Sequence, residues 1–268
     1  MKKQLLASVA AVALAAATPA IAAPPASMPA APVYNWTGFY AGGNIGYSWG
    51  SVNSGFYDPG FPGGFGSGSC CELPSSYPAF LKPNGLIGGA QAGYNWQVGT
   101  KWVFGLEADL QGSAETAQTG FSNSYDCEGF NGPTICNLRQ TRSAKIQWFD
   151  TVRGRFGFLL TPTLWLYGTA GLAFGKVSAF GTVTDDPQNT GASFAFGSSQ
   201  INGGYAVGAG IEGAFANSKN WTWKVEYLYI DLGSLSGGGV EPISGSPYTW
   251  NAHFTDNIMR VGFNYRFP

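Results

Sequence analysis

The chain has 268 residues with 40 Gly, 9 Trp, 13 Tyr and 19 Phe, and only 11% are charged, against about 25% in a typical soluble domain. So little charge argues against an ordinary cytosolic enzyme, and so many rings argue against disorder. A formal net charge of −1 gives no electrostatic case for nucleic acid, and the lack of a long apolar run beyond the extreme N-terminus excludes a helical membrane protein.

Lys2 and Lys3 precede an apolar stretch from Leu5 to Ala17, followed by Thr18-Pro19-Ala20-Ile21-Ala22. A basic start, an apolar middle and a small-residue cleavage site make up a secretory signal peptide, so residues 1–22 are expected to be removed on export. The stretch is short and Ala-rich for a spanning helix. Residues 23–35 are rich in Pro and Ala and read as an extended periplasmic linker.

From Trp36 onward the chain alternates with period two, the pattern of strands with two unlike faces. In 36–49, Phe39, Ala41, Gly43, Ile45, Tyr47 and Trp49 share one face, while Tyr40, Gly42, Asn44, Gly46 and Ser48 share the other. The same holds in 102–110, where Trp102, Phe104, Leu106, Ala108 and Leu110 oppose Val103, Gly105, Glu107 and Asp109. It recurs in 221–230 and 259–267, and runs 85–97, 144–160, 164–178 and 202–215 fit less cleanly. That predicts eight strands.

A soluble barrel would bury its apolar face and solvate a charged one. Here the second face is mostly Gly, Ala, Ser and Asn with a few charges, which suits a narrow, crowded interior. The aromatic face suits lipid, with rings near the strand ends as in barrel girdles. Connections alternate between roughly four residues and about 20–35 residues. The expectation for 36–268 is an all-β fold, an eight-stranded antiparallel transmembrane meander barrel with short periplasmic turns and long extracellular loops.

The inward parity gathers Glu107, Asp109, Arg153, Arg155, Glu212, Lys224, Glu226, Arg260 and Arg266. Buried charge must be paired. An eight-stranded barrel is just wide enough for side chains to fill, so these charges are expected to cross-link the lumen, with a conducting path as the alternative.

Cys70 and Cys71 fall in the first long loop, Cys127 and Cys136 in the second. Export makes disulfides plausible, and Cys127–Cys136 closes the more local loop, although a member of the 70–71 doublet could instead tie the two loops. The spacing is wrong for a metal knuckle, so no metal or cofactor is expected. Aromatics of the first loop, including Phe56, Tyr57, Phe61, Phe65, Tyr77 and Phe80, either bind something or pack across the mouth.

Several segments resemble the alphaproteobacterial small outer-membrane barrels, the RopB-type or outer-membrane immunogenic, porin-family proteins. Trp36-Thr37-Gly38-Phe39-Tyr40-Ala41-Gly42-Gly43-Asn44-Ile45-Gly46-Tyr47 looks like their first strand. Thr151–Gly157, Tyr167–Val177, Trp223–Tyr229 and Arg260–Phe267 look like four later ones. The resemblance implies an outer-membrane barrel of a Gram-negative bacterium, in contact with outer-membrane lipid and lipopolysaccharide. It implies roles in envelope integrity and surface antigenicity and, for some members, heme binding. It also implies that the barrel-assembly machinery reads the closing aromatic residues, here Phe263, Tyr265 and Phe267. This chain departs from the pattern in that Pro268 follows Phe267.

His253, the only histidine, has Asp256 nearby. Some eight-stranded barrels modify lipid A with a His, a Ser and a carboxylate, but His253-Phe254-Thr255 lacks a serine two residues on, and no base–nucleophile pair is evident. The sequence therefore points to a non-enzymatic structural barrel that presents surface loops. The alternatives are a small porin, or a surface binder of heme or a host ligand.

Overall fold

The computed structural model describes residues 34–57, 76–129, 132–184, 193–216, 218–240, 245 and 247–268, without the side chains of 125–136. The signal segment 1–22, linker residues 23–33, Phe61, Phe65, Cys70 and Cys71 lie outside the described residues.

The strands are β1 (Gly38–Tyr57), β2 (Ser76–Leu81), β3 (Asn84–Val98), β4 (Trp102–Gly129), β5 (Gly132–Thr161), β6 (Leu164–Thr184), β7 (Ser193–Ala214), β8 (Trp221–Val240) and β9 (Pro247–Arg266). Neighbours pair antiparallel in one sheet, and β9 pairs back onto β1, so the sheet closes as a barrel. The ring has eight walls although it has nine strands. β1 pairs with β3 along 38–49 and with β2 along 52–57, so β2 and β3 are two pieces of one wall. Lys82-Pro83 separates them, because Pro has no N–H to give to a ladder. Gly50 N instead donates to Pro83 O at 2.7 Å.

The strands run much further than alternation alone predicted. The β4–β5 ladder continues to Gly129↔Gly132, and β8–β9 continues to Val240↔Pro247, through stretches expected to be loop. The reason is an inversion of the faces. Beyond Leu110, the outward residues of β4 are Thr116, Gln118, Gly120 and Ser122, while Ala117 and Phe121 turn inward against an apolar core. An exterior that is aromatic near the turns becomes polar near the hairpins, so a reading that held one face apolar stopped where the inversion begins.

Two bulges also shift the parity. In β5 the inward residues are odd from Phe149 to Arg155 but even from Leu138 to Ile146, with the irregularity between Ile146 and Trp148. This is why 144–160 fitted poorly. In β8 the break lies between Asp231 and Gly233. Gly233 takes φ +71°, which only glycine adopts cheaply, and its N–H donates to Asp231 Oδ1 at 2.8 Å.

The lumen therefore has three layers. Trp36, Val103, Trp165 and Tyr167 form an apolar floor at the turn end. Charged and polar side chains fill the middle. Above them, a large apolar core includes Val52, Phe56, Leu138, Phe149, Leu235 and Phe254. The interior is therefore polar in its middle layer and apolar above and below it. Where the outer wall is polar, burying apolar side chains inside is the favourable arrangement, as in a soluble barrel.

Outside, two aromatic belts frame an aliphatic band. Phe39, Trp96, Trp102, Phe156 and Phe263 lie toward the turns, and Tyr47, Trp49, Tyr205 and Tyr227 toward the hairpins. Ile45, Leu106, Val152, Leu172 and Val207 are exposed between them.

Candidate functional site: the charged lumen

The inward parity of β4, β5, β7, β8 and β9 brings Glu107, Asp109, Arg153, Arg155, Glu212, Lys224, Glu226 and Arg260 into contact. Arg153 sits at the centre. Its Nη2 lies 2.7 Å from Glu107 Oε1 and 2.8 Å from Asp109 Oδ2, and its Nη1 lies 3.1 Å from Glu226 Oε1. Arg260 holds Glu226 at 2.6 Å and Asp109 at 3.0 Å. Lys224 Nζ reaches Glu107 at 2.8 Å, and Arg155 reaches Glu212 at 2.5 Å. Arg153 and Glu107 are both 0% exposed.

Strand register sets opposite charges side by side, although Lys224 turns from Glu212 to Glu107 and Glu212 pairs with Arg155. Glu107 faces Arg153 across β4–β5, Glu212 faces Lys224 across β7–β8, and Glu226 faces Arg260 across β8–β9. Side chains directly opposite on one face lie close enough to interact. The narrow ring then brings in the far wall, so that Arg153 on β5 also reaches Glu226 on β8.

Neutral residues that charge parity did not single out complete the network. Tyr40 donates to Glu107 Oε2 at 2.8 Å, Tyr167 to Glu226 Oε1 at 3.1 Å, and Thr151 to Asp109 Oδ2 at 2.8 Å. Thr222 and Asn264 donate to Glu212 Oε1 at 2.7 and 3.1 Å. The guanidinium of Arg155 lies over the Tyr167 ring at 4.1 Å and the Trp165 ring at 4.7 Å. Their inward parity at the same height was the available signal.

Arg266 stands apart. It makes no ion pair among the described residues; its Nη2 donates to the carbonyls of Asn35 and Thr37 at 2.5 and 3.0 Å, and it stacks on Tyr34 at 4.8 Å. It ties Tyr34, Asn35 and Thr37 to the turn end of the barrel.

The other candidate residues are dispersed. Phe263, Tyr265 and Phe267 are on the outer face. Phe56 and Tyr77 are in the apolar core, while Tyr57 and Phe80 are exposed. Cys127 lies opposite Thr134 and Cys136 opposite Tyr125 across the β4–β5 ladder. His253 points outward and Asp256 inward, so the two do not meet. Instead His253 Nδ1 lies 2.9 Å from Ser234 Oγ, and its Nε2 lies 3.5 Å from Asp231 Oδ2.

Residues 8–267 match the family described as outer membrane protein beta-barrel domain. The chain is 35% identical to the 31 kDa outer-membrane immunogenic protein of Brucella melitensis over 271 residues, covering 100% of both chains. It is 32% identical to a 22 kDa outer membrane protein of Rhizobium leguminosarum bv. viciae, over 89% of this chain and 82% of that one. Among solved structures it resembles the outer membrane protein OprG of Pseudomonas aeruginosa (TM-score 0.40, 12% identity, 87% and 98% coverage). The outer membrane protease OmpT of Escherichia coli gives TM-score 0.40 at 10% identity, with 86% and 97% coverage. With its closed antiparallel wall, belted exterior and full-length relatives, this chain belongs to the outer membrane protein β-barrel family.

Proposed function

We propose that this protein is a structural, non-conducting barrel of the outer membrane that reinforces the envelope and carries its hairpin end as an antigenic surface. The observation that carries this reading is the middle layer of the lumen. Its charges are matched in contact, hydrogen-bonded and closed to water, which suits a filled barrel rather than a path for ions. The aliphatic band faces lipid, and the polar hairpin ends face the lipopolysaccharide layer and the medium. The relatives named immunogenic fit a surface position.

Reconstitution in planar bilayers tests it. Wild type is expected to be silent, and Arg153→Ala or Glu107→Ala to open at most transient leaks. Discrete wild-type channels would support a porin instead.

The reading includes a cleaved signal peptide, assembly through the closing aromatics Phe263, Tyr265 and Phe267, and a Cys127–Cys136 disulfide. It also excludes catalysis. Ser234 stands beside His253 on an open wall, and the neighbouring Gly233 N–H is already given to Asp231, so it cannot serve an oxyanion. Expression should leave the lipid A profile unchanged; an altered profile that His253→Ala abolishes would overturn this part.

A further inference from the structure

Above the charged layer and below the apolar core, three inward side chains from three strands meet: Ser48 on β1, Glu115 on β4 and Asp256 on β9. All are buried, at 0%, 2% and 1% exposure. Ser48 Oγ donates to Asp256 Oδ1 in a short hydrogen bond, and Ser113 Oγ donates to Glu115 Oε1 at 2.8 Å. A Cβ at Gly50, the register partner of Asp256, would lie 3.4 Å from Glu115 Oε2, so both carboxyls enter the same part of the lumen.

The hydrogens do not suffice if both carboxyls are ionised. The Ser48 hydroxyl supplies the trio's one hydrogen, and it goes to Asp256. Glu115 Oε2 and Asp256 Oδ2 are buried, and no donor reaches either. No cation compensates them. Along β9, Arg260 lies two inward positions below Asp256, beyond Ile258, and is engaged with Glu226 and Asp109. Along β4, Asp109 is held by Arg153 and Arg260. β1 and β3 contribute no charge at this height, and β8 contributes Leu228 and Ile230. On β5, Arg142 lies higher, against Phe56 and Phe196, and Lys145 points outward. Two buried carboxylates in contact without a counter-charge do not both ionise.

We propose that Ser48, Glu115 and Asp256 form a one-proton site, in which the two carboxyls share a single proton at neutral pH and lock β4 to β9 across β1. One added proton supplies the missing hydrogen bond, and its loss sets two negative charges against each other inside the wall. A metal ion fits the trio less well: it offers two carboxylates and a hydroxyl, and no group of three or more His, Cys, Asp or Glu that could hold a metal occurs among the described residues.

The sign follows from linkage. Unfolded carboxyls release their protons near pH 4, so between there and the pair's own titration the folded chain binds more protons than the unfolded chain. The site's contribution is present at acid pH and is lost as pH rises through the pair's titration.

Infrared difference spectroscopy on the full folded chain in lipid vesicles reads this directly. Wild type at neutral pH should show a deuterium-sensitive carbonyl band of a protonated carboxyl that disappears at high pH. The band should be absent from Glu115→Gln and from Asp256→Asn. In parallel, unfolding in urea should accelerate with pH in wild type, by up to about tenfold for each unit by which the pair titrates above a free carboxyl, and stay flat in Glu115→Gln. No such band in wild type at neutral pH, or an unfolding rate set by calcium and chelator rather than by pH, would overturn the proposal. If Glu115→Gln does not fold, the wild-type band and rate profile still decide it.

Discussion

Glu226 and Arg260 face each other across β8 and β9, and Arg260 grips one carboxylate oxygen twice, with Nε at 2.8 Å and Nη2 at 2.6 Å. The same carboxylate also receives Arg153 from the opposite wall. One carboxylate is therefore shared by two buried guanidinium groups that reach it from different sides of the ring, with Asp109 paired to both as well.

Replacing Glu226 by Gln should thus cost more than a surface pair would. Breaking a buried pair on one side leaves charge uncompensated and typically costs about 3–5 kcal/mol. The urea midpoint of the compact, heat-modifiable form should fall accordingly. A midpoint unchanged from wild type would mean that the network contributes no stability.

The apolar upper core predicts a different failure. Phe254 is 0% exposed and packs within that core. Phe254→Ala should cost about 3–5 kcal/mol, as large-to-small core changes do. The loss should be local, with the hairpin ends cut early in limited proteolysis while the belted half stays resistant.

Arg142 is a buried cation that meets no carboxylate among the described residues. It lies over Phe196 at 4.5 Å and Phe56 at 5.2 Å, and Nη2 donates to Gln140 at 2.9 Å. Burial pulls its pKa down from the ordinary guanidinium value to about 10. A base with a lowered folded pKa binds fewer protons folded than unfolded, so its charge costs stability at every pH below 10, and the cost is relieved as pH rises from there. Arg142→Met should stabilise the chain by about 1–2 kcal/mol once the lost ring contacts are set against the gain. Thermal unfolding near neutral pH checks this.

Gly171 faces Arg153 across β5–β6, and a Cβ there would lie 2.0 Å from Val152 O and 2.6 Å from Arg153 Cα. Gly171→Ala should force the strands apart and displace the central guanidinium, which sharply lowers the folded fraction in gel-shift assays. Gly154→Ala, whose Cβ would meet only Ala170 O at 3.8 Å, should fold as wild type does.

Much of the barrel was readable from the chain, and the places where it was not share physical causes. Clean alternation in 36–49, 102–110, 221–230 and 259–267 marked walls because lipid demands an apolar side chain at every second position. Run 144–160 was blurred by the Gln147 bulge, and run 85–97 by the small outward residues Gly88, Ala90 and Ala92, which weaken the apolar face. Charge alone does not single out the partners Tyr40, Thr151 and Tyr167, because a buried carboxylate needs neutral donors as well.

Period-two alternation by itself determined that the chain builds walls with one face for lipid, and inward parity named the charges between them. Only the tertiary structure decided which charges meet, since contact across the lumen depends on how the ring closes. Closure alone brought Glu226 to Arg153 and Glu115 to Asp256, and excluded Arg266. It also decided that eight charged side chains meet in the middle of the lumen, beneath an apolar core. Along one strand the favoured face inverts wherever the medium outside changes from lipid to water.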